Sequence, residues 1–179
     1  LNLPDLQQLR ELVRDDQHSR AMIQLERLLA AGHELNAAKL LKSWILLQRK
    51  DFVQAVTLLD EVLEADPWSM DALLMKGLAA RWQQQPEDAC HWFKKATYTF
   101  PECWSAHYYL GDLYRAEGNT EAAIKAFQAA RRILSADQHA RDGSIWIPSS
   151  LPPGDALFLS ERNLLKLKQA AQQVIGKEG

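Results

Sequence analysis

Apolar residues recur along this chain at steps of three and four, and the pattern returns at an offset of 34 residues. Ala21, Ala55, Ala89 and Ala123 stand one offset apart. Four residues after each come Leu25, Leu59, Phe93 and Phe127, and three further on Leu28, Val62, Ala96 and Ala130. This spacing places one apolar stripe on a helix. It predicts helices over 5–15, 18–31, 35–48, 52–65, 70–83, 86–99, 104–117 and 120–134. No window alternates with period two, so no sheet is expected. Asp51 and Thr120 read as N-caps, Pro86 as a first-turn residue and Gly118 as a helix C-terminus. After Ser135 the pattern stops. Gly143, Pro148, Ser149, Ser150, Pro152, Pro153 and Gly154 mark a loop, within which Ile145-Trp146-Ile147 is conspicuously apolar. A last helix over 155–174 carries Leu157, Leu164, Leu167, Ala171 and Val174 on one side.

The residues at the recurring positions are specific. Residues 104–137 read His107-x2-Leu110-Gly111-x2-Tyr114 and then Ala123-x3-Phe127. This resembles the tetratricopeptide signature W-x2-L-G-x2-Y, A-x3-F, P, with Ser135 in the proline slot. The preceding repeat keeps Gly77, Ala89, Phe93 and Pro101. The second keeps Ala55 and Pro67 with Ser43 in the small slot, and the first puts Leu9 in the glycine slot and His33 in the proline slot. The resemblance implies an all-α fold, a right-handed superhelix of four helical hairpins at 2–35, 36–69, 70–103 and 104–137. A loop over 138–154 and a C-terminal capping helix with its tail over 155–179 follow. Small residues are needed where the first helix of a hairpin meets the second, so Ala55, Ala89 and Ala123 are expected to be buried.

In such repeats the first helix of each hairpin lines a concave face. That implies a groove containing Leu6, Arg10, Val13 and Arg14, then Leu40, Trp44, Leu47 and Gln48, then Asp71, Leu74, Leu78, Arg81 and Trp82, then Ser105, Tyr108, Asp112 and Arg115. The expected partner-binding residues are Leu40, Trp44, Leu47, Leu74, Leu78, Arg81, Trp82, Tyr108, Asp112 and Arg115. Six of them, Leu40, Trp44, Leu47, Leu74, Leu78 and Trp82, would form a continuous exposed apolar patch, the usual mark of an interaction site. The competing reading is that the protein's own tail, or self-association, covers them. The Lys, Asn and Arg clamp of repeats that bind acidic chaperone tails is missing from these positions.

A narrower resemblance lies in Ala96-Thr97-Tyr98-Thr99-Phe100-Pro101 and Ala106-His107-Tyr108-Tyr109-Leu110-Gly111. It is similar to the repeats appended to CheR-type chemotaxis receptor methyltransferases. Phe158 to Leu167 likewise resembles a closing helix of that family. Thr99 and Phe100 depart from the Leu and Asp more usual there. The resemblance implies a regulatory or targeting module in bacterial signal transduction, with any methyltransferase domain outside this chain. The alternative is a free-standing scaffold, or an assembly or secretion chaperone.

Bulk chemistry narrows the classes. The 179 residues carry a formal net charge of −2, so a nucleic-acid partner is not expected. No run approaches the length of a membrane span. Asp5, Arg10 and Glu11 interrupt any signal peptide. Two cysteines, Cys90 and Cys103, fit a reducing compartment, hence a cytoplasmic protein, with the periplasm left open. The opening Leu1 is compatible with a fragment of a longer chain. Cys90, His91, Cys103 and His107 lack metal-ligand spacing, and no nucleophile or phosphate-loop motif occurs. No metal, cofactor or catalytic residue is therefore expected.

The last hairpin leaves Ile124, Phe127 and Ile133 in need of cover. The final helix is expected to cap them through Leu164, Leu167 and Ala171, with Trp146 anchored on the repeats. In the rival arrangement the tail segment occupies the groove.

Overall fold

A computed structural model describes residues 5–32, 35–137 and 139–175. The described residues form nine α-helices and no strand. They are α1 (Leu6–Arg14), α2 (His18–Ala30), α3 (Asn36–Gln48), α4 (Phe52–Ala65), α5 (Met70–Trp82), α6 (Pro86–Thr99), α7 (Trp104–Ala116), α8 (Thr120–Ala136) and α9 (Pro153–Ile175). His33 and the side chain of Val174 lie outside the described residues.

Local chemistry sets the helix ends. Asp5 accepts from the Gln7 amide at 3.0 Å and Asp51 from the Gln54 amide at 3.3 Å. For α8 the cap is Asn119, not the expected Thr120, and it accepts from the Ala122 amide at 3.2 Å. Asparagine reaches the free amides of the first turn, so the helix takes in the threonine. The turns after α1, α3, α5 and α7 share one geometry. Asp16, Lys50, Gln84 and Gly118 have φ of 56°, 62°, 60° and 78°. In each, the next residue donates back across six residues, as from Gln17 to Leu12, Asp51 to Leu46, Gln85 to Ala80 and Asn119 to Tyr114. This is the Schellman ending of a helix, repeated every 34 residues.

The chain divides into two compact units. The first holds α1 to α5, the start of α6 and residues 144–148. There α1, α3 and α5 pack successively, and α2 and α4 sit against their sequence neighbours. Leu9, Leu25, Leu41, Ile45, Leu47, Leu59, Leu73 and Met75 are fully buried. Lys39 pairs with Glu61 at 2.8 Å and Lys76 with Asp60 at 2.6 Å.

The second unit holds the rest of α6, α7, α8 and α9 with the intervening loops. Here α8 packs on α7, and α9 on α8. Trp104, Ile133, Leu134 and Ala156 form one buried cluster, and Ala123, Phe127 and Leu164 another. Ala156 thus meets the end of α8 and Leu164 its beginning, so the two helices run antiparallel. The buried Trp104 donates its indole N–H to the Ala140 carbonyl at 2.8 Å, and the Tyr109 hydroxyl bonds that of Ser150. These bonds tie the connecting loop to α7. Ala55, Ala89 and Ala123 are all fully buried.

Candidate functional site

In the first unit α5 is apolar nearly all round, with Ala72, Leu73, Leu74, Met75, Leu78, Ala79 and Ala80 buried. A helix of that kind is covered on every side. The structure accordingly corrects the expected exposed patch. Leu40, Trp44, Leu47, Leu74 and Leu78 are all buried, at 1–5% exposure. A partner cannot reach them without uncovering them. Trp82, at the last position of α5, is 36% exposed. It lines an open cleft of about 360 Å³ with Leu47, Gln48, Lys50 and Phe52. Arg81 beside it is half-buried.

At the other end of α5 stands Asp71, 4% exposed. Its Oδ1 accepts from the backbone amides of Ile145, Trp146 and Ile147 at 3.1, 2.8 and 2.9 Å, and its Oδ2 from Ile145 at 3.0 Å. Ile147 is buried, Trp146 half-buried and Ile145 exposed. Asp71, Leu74, Leu78 and Trp82 follow at steps of three and four, so they share one face of α5. The tail segment is therefore seated on the helix face that the sequence assigns to the groove. Asp71 was placed in that groove by its register but was not among the expected contact residues. A carboxylate on an otherwise apolar face was the available signal, since a buried charge needs partners.

In the second unit, Tyr108 is half-buried and packs edge-on to Phe127, with ring centroids 5.9 Å apart. Asp112 pairs with Arg115 at 2.7 Å. The apolar cover of this unit is α9. Leu164 is buried against Phe127, with Ile124 and Leu167 packed at the margin, and Ile133 lies with Ala156. Ala171 is exposed, contrary to expectation. Because α9 runs antiparallel to α8, which starts at Thr120, its last turns pass beyond the surface they would cover. The tail thus does two things, with the helix packing on α8 and residues 145–147 binding Asp71.

Among the described residues no group of three or more His, Cys, Asp or Glu side chains could hold a metal. Both cysteines are buried, and neither is in a disulfide. Burial, reinforced by the Asp142 charge and opposed by hydrogen bonds from Ala106 and Ser105, pushes the Cys103 thiol up to about 12. It is therefore poorly suited to act as a thiolate nucleophile. Burial lowers the pKa of His107, against the opposing effect of its 2.8 Å bond to the Pro101 carbonyl. No described helix is long and apolar enough to cross a membrane.

A family model described as tetratricopeptide repeat matches residues 6–69, 40–100 and 74–138. The chain belongs to the tetratricopeptide repeat family. Solved structures of similar fold include MamA 41-end from Desulfovibrio magneticus RS-1, at a TM-score of 0.62 and 19% identity over 96% of this chain and 98% of that one. Another is the MamA RS-1 ArsTM double mutant, at a TM-score of 0.64 and 22% identity over 76% and 79%. At these identities the likeness concerns the fold alone. A curated relative is the probable UDP-N-acetylglucosamine–peptide N-acetylglucosaminyltransferase SPINDLY of Hordeum vulgare, 33% identical over 87 residues. Those residues are 49% of this chain and 9% of that protein. Tetratricopeptide domains are in general protein-interaction modules.

Proposed function

We propose that this tetratricopeptide chain is a non-catalytic interaction module that binds a protein partner through the α3–α5 face of its first unit. The observation that carries the reading is Trp82, the large apolar residue of the expected groove that stays exposed, set in an open cleft with Leu47 and Phe52. Tryptophan and arginine are the side chains that most often anchor interfaces, and Arg81 adjoins it. Leu40, Trp44, Leu74 and Leu78, of the same expected groove, are buried and are not direct contacts in this reading. Tyr108, Asp112 and Arg115 are candidates on the second unit by itself. The repeat boundaries 2–35, 36–69, 70–103 and 104–137 are part of the same reading, and two cysteines outside any disulfide support a cytoplasmic location.

The test uses peptides selected from a displayed library against the intact chain. Trp82→Ala should weaken the selected peptides about tenfold or more, as truncation of an aromatic anchor does. Helical circular dichroism should stay unchanged. Unchanged affinity would move the interaction site off this cleft.

A finer reading attaches the module to a CheR-type chemosensory methyltransferase. Ala96, Tyr98 and Pro101 with Ala106, His107, Leu110 and Gly111 support it. The full-length coding sequence decides it. A methyltransferase domain upstream supports the attachment, and a chain without one favours the free-standing scaffold or chaperone.

A further inference from the structure

Residues 145–147 are held by their backbone. Three consecutive amides converge on one buried carboxylate, Asp71, at 2.8–3.1 Å. Hydrogen bonds to an ionised acceptor are roughly twice as strong as neutral ones. Such a seat reads the amide groups of an irregular stretch of chain and is indifferent to most side chains. The side chains separate by exposure. Ile145 is 58% exposed, whereas Ile147 is 7% exposed. The seat therefore asks for three successive non-proline residues with an apolar third. It lies on the same face of α5 as Trp82, the residue that carries the proposed function.

We infer that Asp71 is a peptide-backbone receptor, that Ile145-Trp146-Ile147 is its built-in occupant, and that the partner docks by displacing this segment with a stretch of the same chemistry. The inference rests on the interaction reading above and adds its regulation. The occupant is tethered, and a short flexible tether presents its end at about millimolar effective concentration. A free peptide must compete with that. The intact chain thus discriminates against weak ligands, and partners that engage Trp82 as well as Asp71 are favoured.

The probe is a fluorescein-labelled peptide with the sequence of residues 143–149. Its affinity is measured on the intact chain and on a chain carrying Ile145→Pro, Trp146→Pro and Ile147→Pro together, which removes all three amide donors. The substituted chain should bind about tenfold or more tightly, the order expected when a tethered competitor is removed. Adding Asp71→Asn should abolish that gain. Should these variants unfold, hydrogen exchange on the intact chain gives an independent answer. The amides of Ile145, Trp146 and Ile147 should exchange slowly alone and faster under saturating peptide. Equal affinity for the two folded chains, or exchange unmoved by peptide, overturns the inference. The Trp82→Ala experiment separates the two readings. If Trp82 dependence survives while displacement fails, only the regulation falls. If displacement holds without Trp82 dependence, the cleft assignment falls and the Asp71 seat remains.

Discussion

One absent methyl group sets how closely α7 and α8 approach. A Cβ on Gly111 would lie 2.8 Å from two ring atoms of Phe127, itself fully buried. Gly111→Ala gains about 1 kcal/mol of helix propensity. It must also displace a fully buried ring, and overpacking costs about 1–3 kcal/mol. The second effect should win, leaving the variant roughly 1 kcal/mol less stable in urea denaturation. No loss would mean that the ring shifts freely. Ser43 fills the equivalent slot in the second repeat, and its buried hydroxyl has no partner among the described residues. In the last three repeats, with Ser43, Gly77 and Gly111, the slot thus selects for size, not for hydrogen bonding. Trp44 shows the reverse case. At 5% exposure its truncation to alanine removes core packing worth about 3–5 kcal/mol, so that variant would report on stability, not on binding.

Among the elements, the helix ends repeat more faithfully than the sequence does. Four turns adopt the same left-handed residue, yet only Gly118 is a glycine. Asp16, Lys50 and Gln84 bear a strain of about 1–2 kcal/mol each that glycine avoids. Gln84 is exposed, so Gln84→Gly removes little besides that strain. It should stabilise the chain by about 1 kcal/mol net of glycine's entropy, raising the urea midpoint with an unchanged slope. A lower midpoint would show that the Gln84 side chain contributes more than its backbone costs. The helices themselves were legible in the sequence to within two residues, because their spacing is periodic. The common turn was legible only at Gly118, since the register of the hairpins, not residue type, imposes it on the other three. Burial was harder to foresee. The family's concave register pointed to exposed side chains, whereas the all-round apolarity of α5 pointed to a covered helix, and the latter prevailed.

Over the whole chain, the residues after Ser135 divide their work between the two units. Leu164 on α9 is 3% exposed against Ala123 and Phe127. Leu164→Ala should cost about 2–4 kcal/mol and lower the melting temperature of the intact chain. A melting temperature unchanged within error would mean that α9 is not a cap. The capping face could be read from the spacing of Leu157, Leu164 and Leu167. The apolarity of residues 145–147 announced that they are anchored on the repeats, but their pairing with Asp71 could not be read, because an aspartate and its three donors separated by 74 to 76 positions leave no periodic trace.

That separation bears on how the protein is made. Asp71 leaves the ribosome well before Ile145, and at about 5–20 residues per second the interval is roughly 4–15 s. The first helices can pack in that time, while the carboxylate on α5 has no tail to receive. A nascent chain thus presents an open receptor that the finished chain closes. A partner synthesised nearby would meet its site before the competitor for that site exists, so order of translation could set occupancy as firmly as affinity does.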